Sequence, residues 1–220
     1  AIYAFVGSVS IGNSSFERNQ AGSEGGAVYC YDGSIAATDG SSFVANGAAT
    51  YGGALSSFLG SGISLADAVL TDNSAGSQGG AVASIYPVTA VDTDFSRNQA
   101  SSASGVGGAV YAQGTATFTR GSFTDNTAGS GGGAVLAIGS VLATGTVFTR
   151  NRAPNGGAIK GFSSVSVTDA TFTANVATTN GGAIYATTTT SIDGGSFVGN
   201  HAGQDGGAIY GDDPVAIVGT

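Results

Sequence analysis

Apolar and polar positions along this chain alternate in short runs separated by turn residues, the pattern of brief half-buried strands. Eight Gly-Gly-Ala triplets begin at Gly25, Gly52, Gly79, Gly107, Gly132, Gly156, Gly181 and Gly206. The residue after each triplet is aliphatic: Val28, Leu55, Val82, Val110, Val135, Ile159, Ile184 or Ile209. The next position is mixed (Tyr29, Ser56, Ala83, Tyr111, Leu136, Lys160, Tyr185, Tyr210), and the one after it is small, from Cys30 to Gly211. Side chains alternate faces along a strand, so the three columns read in, out, in. A second strand is predicted seven to five residues ahead of a recurring phenylalanine, with Val9 and Ile11, Ile63 and Leu65, Ala116 and Phe118, and Val165 and Val167 inward. A third strand carries the phenylalanine itself.

That phenylalanine opens a second motif, Phe-x-x-Asn-x-Ala. Its first position is Phe16, Phe43, Leu70, Phe95, Phe123, Phe148, Phe172 and Phe197, and its asparagine is Asn19, Asn46, Asn73, Asn98, Asn126, Asn151, Asn175 and Asn200. Successive Gly-Gly-Ala triplets are 24 to 28 residues apart. A period of that length holds two short helices or three short strands, and the abundance of Gly, Ser, Thr and Val disfavours helix. The predicted fold is all-β: a right-handed parallel β-helix with three strands per coil and about eight coils, residues 1–220 forming one segment. The Phe column is expected to stack inside. The Asn column is expected to take left-handed corners and to bond amide to amide between coils, and the paired glycines to permit tight corners and close backbone approach.

The ends extend the pattern. Ala1-Ile2-Tyr3 reads as the tail of another Gly-Gly-Ala-Ile-Tyr, and Val215 to Val218 as the start of a further turn. Neither end carries a polar capping repeat, so the expectation is a segment of a longer array, or ends that meet a partner subunit. The expected partners are therefore flanking β-helix repeats or further copies in a fibre. The chain does not begin with methionine, which reads as a processed or excised sequence.

Composition narrows the class. Glycine is abundant at 39 residues, but only 3 prolines occur and no third-residue glycine period exists, which removes collagen. A charged fraction of 9% beside 41% hydrophobic residues argues against intrinsic disorder. No apolar run is long enough for a helical membrane span. A net charge of −8 with Lys160 as sole lysine excludes nucleic acid and anionic membrane surfaces as partners. One cysteine, Cys30, allows no internal disulfide, and no cofactor is expected.

Candidate chemistry is sparse. Two residues after each Phe, one outward column reads Arg18, Ala45, Asp72, Arg97, Asp125, Arg150, Ala174, Gly199. Parallel β-helices can carry glycan-cleaving carboxylates, so Asp72 and Asp125 stand as candidates for a polysaccharide lyase or hydrolase. The alternative, preferred because each Asp has arginine neighbours, is a surface charge ladder. Asp212-Asp213 is the only adjacent acidic pair, and His201 has no second histidine to complete a metal or triad site. Small Ser and Thr residues flanking each Phe form a double rank of the kind that orders water in ice-binding solenoids, interrupted by Glu17, Asp94 and valines. Tyr29, Tyr111, Tyr185 and Tyr210 form an outward column suited to contact with a sugar or partner protein. Asn13-Ser14-Ser15 is the single N-glycosylation sequon; alanine two places after each ladder asparagine excludes modification there.

The pairing of Gly-Gly-Ala-(Ile/Val/Leu) with Phe-x-x-Asn resembles the repeats of the polymorphic outer membrane proteins of chlamydiae, and similar repeats occur in other large surface proteins. The resemblance implies an autotransported surface adhesin with a right-handed β-helical passenger. The reading drawn from the sequence is a non-enzymatic extracellular or cell-surface rod: a stalk, a filament or appendage subunit, or an adhesin passenger that meets a host surface or glycan. The ice-binding solenoid and the glycan-cleaving enzyme are the alternatives.

Overall fold

The computed structural model describes residues 2–219. The chain winds as a parallel β-solenoid of three sheets, one of sixteen strands and two of eight. One eight-stranded sheet stacks the Phe strands, from Ser15–Glu17 to Ser196–Val198. The sixteen-stranded sheet holds both the strands that follow Gly-Gly-Ala and those that precede Phe. They fuse because Val28–Thr38 and Leu55–Ala66 run unbroken through both positions. The third sheet is made of brief strands beginning just after the Asn column, such as Gln99–Ala100 and Thr127–Ala128. That sheet is absent from the sequence reading, since a two-residue strand has no periodicity to detect.

Register follows the motifs. Ile2, Val28, Leu55, Val82, Val110, Val135, Ile159, Ile184 and Ile209 pair in one unbroken column. Ile2–Val6 adds a ninth level to the eight expected, pairing Tyr3 with Tyr29 as the Gly-Gly-Ala-Ile-Tyr reading requires; Ala1 lies outside the described residues. With about 4.8 Å per step, the stack is roughly 40 Å long.

The core is a file of identical columns. Phe43, Leu70, Phe95, Phe123, Phe148 and Phe172 are all buried, while Phe16 and Phe197, at the terminal levels, are half-buried. Phe95, Phe123, Phe148, Phe172 and Phe197 stack nearly parallel, with ring centroids 4.5–4.9 Å apart. Phe118 closes on Phe123 edge-on at 4.9 Å. Aliphatic columns from the other strands complete the interior.

Glycine is required where the triplets turn. Each first glycine has φ between 58° and 67°, and a Cβ there would lie 2.0–2.3 Å from the carbonyl oxygen three residues on. The second glycine passes so close to the neighbouring coil that a Cβ on Gly133 would sit 2.0 Å from the Gly157 oxygen. The first position thus needs both the left-handed φ and the absent side chain, whereas the second needs only the space.

Candidate functional site

Each asparagine from Asn46 to Asn175 bonds to the coils on both sides. Asn126 donates its backbone N–H and its Nδ2 to Asn151 Oδ1, both at 3.0 Å, and Nδ2 also donates to the Phe95 carbonyl at 3.0 Å. Its own Oδ1 accepts from the Asn98 backbone at 2.9 Å and from Asn98 Nδ2 at 3.0 Å. The side-chain link repeats from Asn19 to Asn200. Left-handed φ, however, does not fall on these asparagines. It falls one residue earlier, on Arg18, Ala45, Asp72, Arg97, Asp125, Arg150, Ala174 and Gly199. The asparagine is therefore chosen for its amide, and the preceding residue bears the backbone strain.

That preceding column is the charge strip. Arg97 grips Asp72 with Nε and Nη2 at 2.7 and 2.8 Å, and Arg150 grips Asp125 at 2.8 and 2.7 Å. The strip thus resolves into two bidentate pairs. The Arg150 hydrogen bonds hold the Asp125 carboxyl below its ordinary range. A glycan-cleaving general acid needs the opposite shift. A third pair, Arg120 on Asp92 at 2.6 and 2.5 Å, escaped the sequence reading. It sits in a second left-handed column three residues before Phe, which includes Asn13, Asp67, Asp92, Arg120 and Asp169. Its signal in the sequence is the column of residues three before each Phe. The sequon residue Asn13 occupies this column and is solvent-exposed.

The outer face of the Gly-Gly-Ala strands is different in character. Its first outward column contains Tyr29, Ser56, Ala83, Tyr111, Leu136, Lys160, Tyr185 and Tyr210. Tyr3 packs on Tyr29, and Tyr185 on Tyr210, with centroids 5.4 and 5.0 Å apart. Tyr111 departs from the expected exposed column: it is only 7% exposed, because Tyr51 and Val106 pack over it, Ala83 and Leu136. Val106 ends the longest stretch between an Asn column position and its triplet, a length that lets the chain fold back over the face. A second outward column follows, in which Phe5, Tyr31 and Phe58 stack at 5.2 and 5.7 Å. Further along lie exposed Ile138 and Phe162. The Lys160 ammonium sits 5.1 Å from the Phe162 ring and 5.2 Å from that of Tyr185. Burial lowers its pKa. Desolvation, then the charge of Glu24, pushes the Tyr29 hydroxyl up to about 12.

Between Tyr29 and Tyr111 the floor drops. Ser56 and Ala83 are short, and the surface there forms a depression of about 140 Å³. Tyr51, Phe58 and Tyr111 line it with Glu24, Gln78 and Gln113. Glu24 already accepts a 3.1 Å hydrogen bond from Ser56 Oγ.

The remaining candidates have simpler surroundings. Cys30 is buried, its Sγ 3.3 Å from the Gly7 carbonyl oxygen. Asp212 is reached by the Tyr185 hydroxyl at 3.5 Å. Among the described residues no three His, Cys, Asp or Glu side chains gather as cation ligands. In the Ser and Thr ranks, Thr71 and Ser96 bond to each other at 2.9 Å and Ser122 donates to Asp94 at 2.5 Å.

The Chlamydia polymorphic membrane protein repeat matches residues 13–31, 121–138, 169–187 and 194–212, about a third of the chain. Four stretches of the chain are similar to that repeat. Three of the matched segments run from a Phe strand through the Asn corner into the Gly-Gly-Ala strand, and so does the fourth, 121–138. The coils of Phe43, Leu70, Phe95 and Phe148 lie outside the matched segments yet pair in the same registers, so these repeats share one architecture throughout. No curated protein matches, and no solved structure does.

Proposed function

We propose that this chain is a non-enzymatic β-helical rod of an extracellular, cell-surface protein, serving as a stalk, filament subunit or adhesin passenger. One observation carries the reading: the recurring polar residues are spent on coil-to-coil bonds. The Asn column is bonded coil to coil from Asn19 to Asn200, and Asp72, Asp92 and Asp125 are each clasped by an arginine. Such a pattern stiffens a rod, and it occupies Asp72 and Asp125, the carboxylates nominated for glycan cleavage, in ion pairs. The membrane-protein repeats support the surface location. Hydroxyls bonded among themselves and to Asp94, together with Glu17 and valines in the ranks, weigh against an ice-binding plane. Its partners in this reading are flanking β-helical repeats or further copies of the chain, with a host surface or glycan on its side.

The test combines shape and turnover. Negative-stain images and small-angle scattering of the purified chain are expected to give a stiff rod about 40 Å long, singly or end to end. Incubation with acidic and neutral polysaccharides is expected to release no reducing ends. Turnover abolished by Asp72→Asn or Asp125→Asn would overturn the reading.

A further inference from the structure

We propose that the depression over Ser56 and Ala83 is a binding site for one ring of a neutral, hydroxyl-rich sugar. The proposal rests on the surface-rod reading and supplies a ligand class for its side.

The depression is a built feature of the coil register. Tyr29 and Tyr111 are three coils apart in one column, about 14 Å along the rod, and the two positions between them are small. At about 140 Å³ it is close to the roughly 150 Å³ that accepts a six-membered ring such as benzene. Tyr51 and the exposed Phe58 border it and can meet the apolar C–H side of a pyranose, with Tyr111 buried beneath Tyr51 as part of the floor. Glu24, Gln78 and Gln113 add a carboxylate and two amides, the groups that bind vicinal hydroxyls.

Charge selects among sugars. No arginine or lysine lines the depression, Glu24 does, and the chain carries −8 overall, so sialic and uronic acids are repelled.

The test uses an array of neutral and acidic oligosaccharides probed with the wild-type chain, Ala83→Tyr and Gln78→Ala. Ala83→Tyr fills the depression with the side chain that its own column carries at Tyr111, and Gln78→Ala removes one rim amide without adding bulk. Wild type is expected to retain neutral glycans, and each variant to lose about tenfold in affinity or more by titration against the strongest of them. Circular dichroism confirms that each variant is folded. Retention of acidic glycans alone, retention of none, or undiminished wild-type affinity in both variants would overturn the proposal. Mass spectrometry of the glycans after incubation separates the two readings: shortened glycans sink the non-enzymatic rod, whereas intact, unretained glycans sink only the sugar site.

Discussion

Replacing Asn126 by alanine is expected to be among the most damaging single changes in the rod, because of what it strands. Four hydrogen bonds vanish: two donated by Nδ2, to Phe95 O and Asn151 Oδ1, and two accepted from Asn98. Asn98 and Asn126 are both fully buried. The Asn98 backbone N–H loses its acceptor outright, one Asn98 amide hydrogen loses its partner, and the Phe95 carbonyl loses a donor. At about 1–3 kcal/mol for each of these three buried groups, the expected loss is about 3–9 kcal/mol. Urea unfolding followed by circular dichroism gives the total. Hydrogen exchange shows where it falls, and in a nearest-neighbour array protection is expected to drop in the coils of Asn98 and Asn126 while the Asn19 end keeps it. Asn126→Asp sharpens the test, since a carboxylate accepts but cannot donate to Phe95 O. Burial raises its folded pKa above the unfolded value, near 3.9, so the variant loses stability as pH rises past that value and is nearer wild type at pH 4 than at pH 7. An Asn126→Ala loss below about 1 kcal/mol would refute the reasoning, because water filling the gap recovers only part of it.

Other consequences are equally specific. Phe148→Ala should cost about 3–5 kcal/mol in urea titration, while Phe148→Leu should cost less than about 2 kcal/mol, since Leu70 already fills the same column fully buried. Gly132→Ala should be severe, because its Cβ would lie 2.2 Å from the Val135 oxygen; Gly145→Ala has the same left-handed φ but its nearest neighbour is Arg120 Cγ at 3.7 Å, so thermal melts should rank it milder. Carboxyl NMR should find Asp92 and Asp125 titrating below ordinary aspartate, each held down by its arginine hydrogen bonds. Their small stabilisation is then present above the unfolded value near 3.9 and lost as pH falls through the lower folded values, and Arg120→Ala should return Asp92 to the ordinary range.

Long-range order was legible in the sequence because a solenoid repeats its physics. Once Phe43 and Phe95 are seen to occupy equivalent places, burial of one implies burial of the other, and the Asn and Gly-Gly columns follow with their roles. What stayed hidden was local or non-periodic. The short strands after the Asn column are too brief to alternate. Left-handed backbone on Arg97 or Asp125 leaves no glycine to mark it, and the asparagine beside each is the residue type that more readily suggests such a corner. The burial of Tyr111 depends on a loop that one coil has and its neighbours lack, and the Asp92–Arg120 pair appears only when a second column is counted. The depression over Ser56 and Ala83 has no motif at all; it arises where two coils carry small residues between two tyrosines.

Each coil is bonded to the next through its asparagine. NMR scalar couplings transmitted through hydrogen bonds measure this directly. The account predicts a coupling from the Asn98 backbone nitrogen to the side-chain carbonyl carbon of Asn126, 28 residues away, and its counterparts from Asn46 through Asn151. Coupling of these nitrogens to carbonyls of their own coil, or rapid exchange of their protons with solvent, would contradict it.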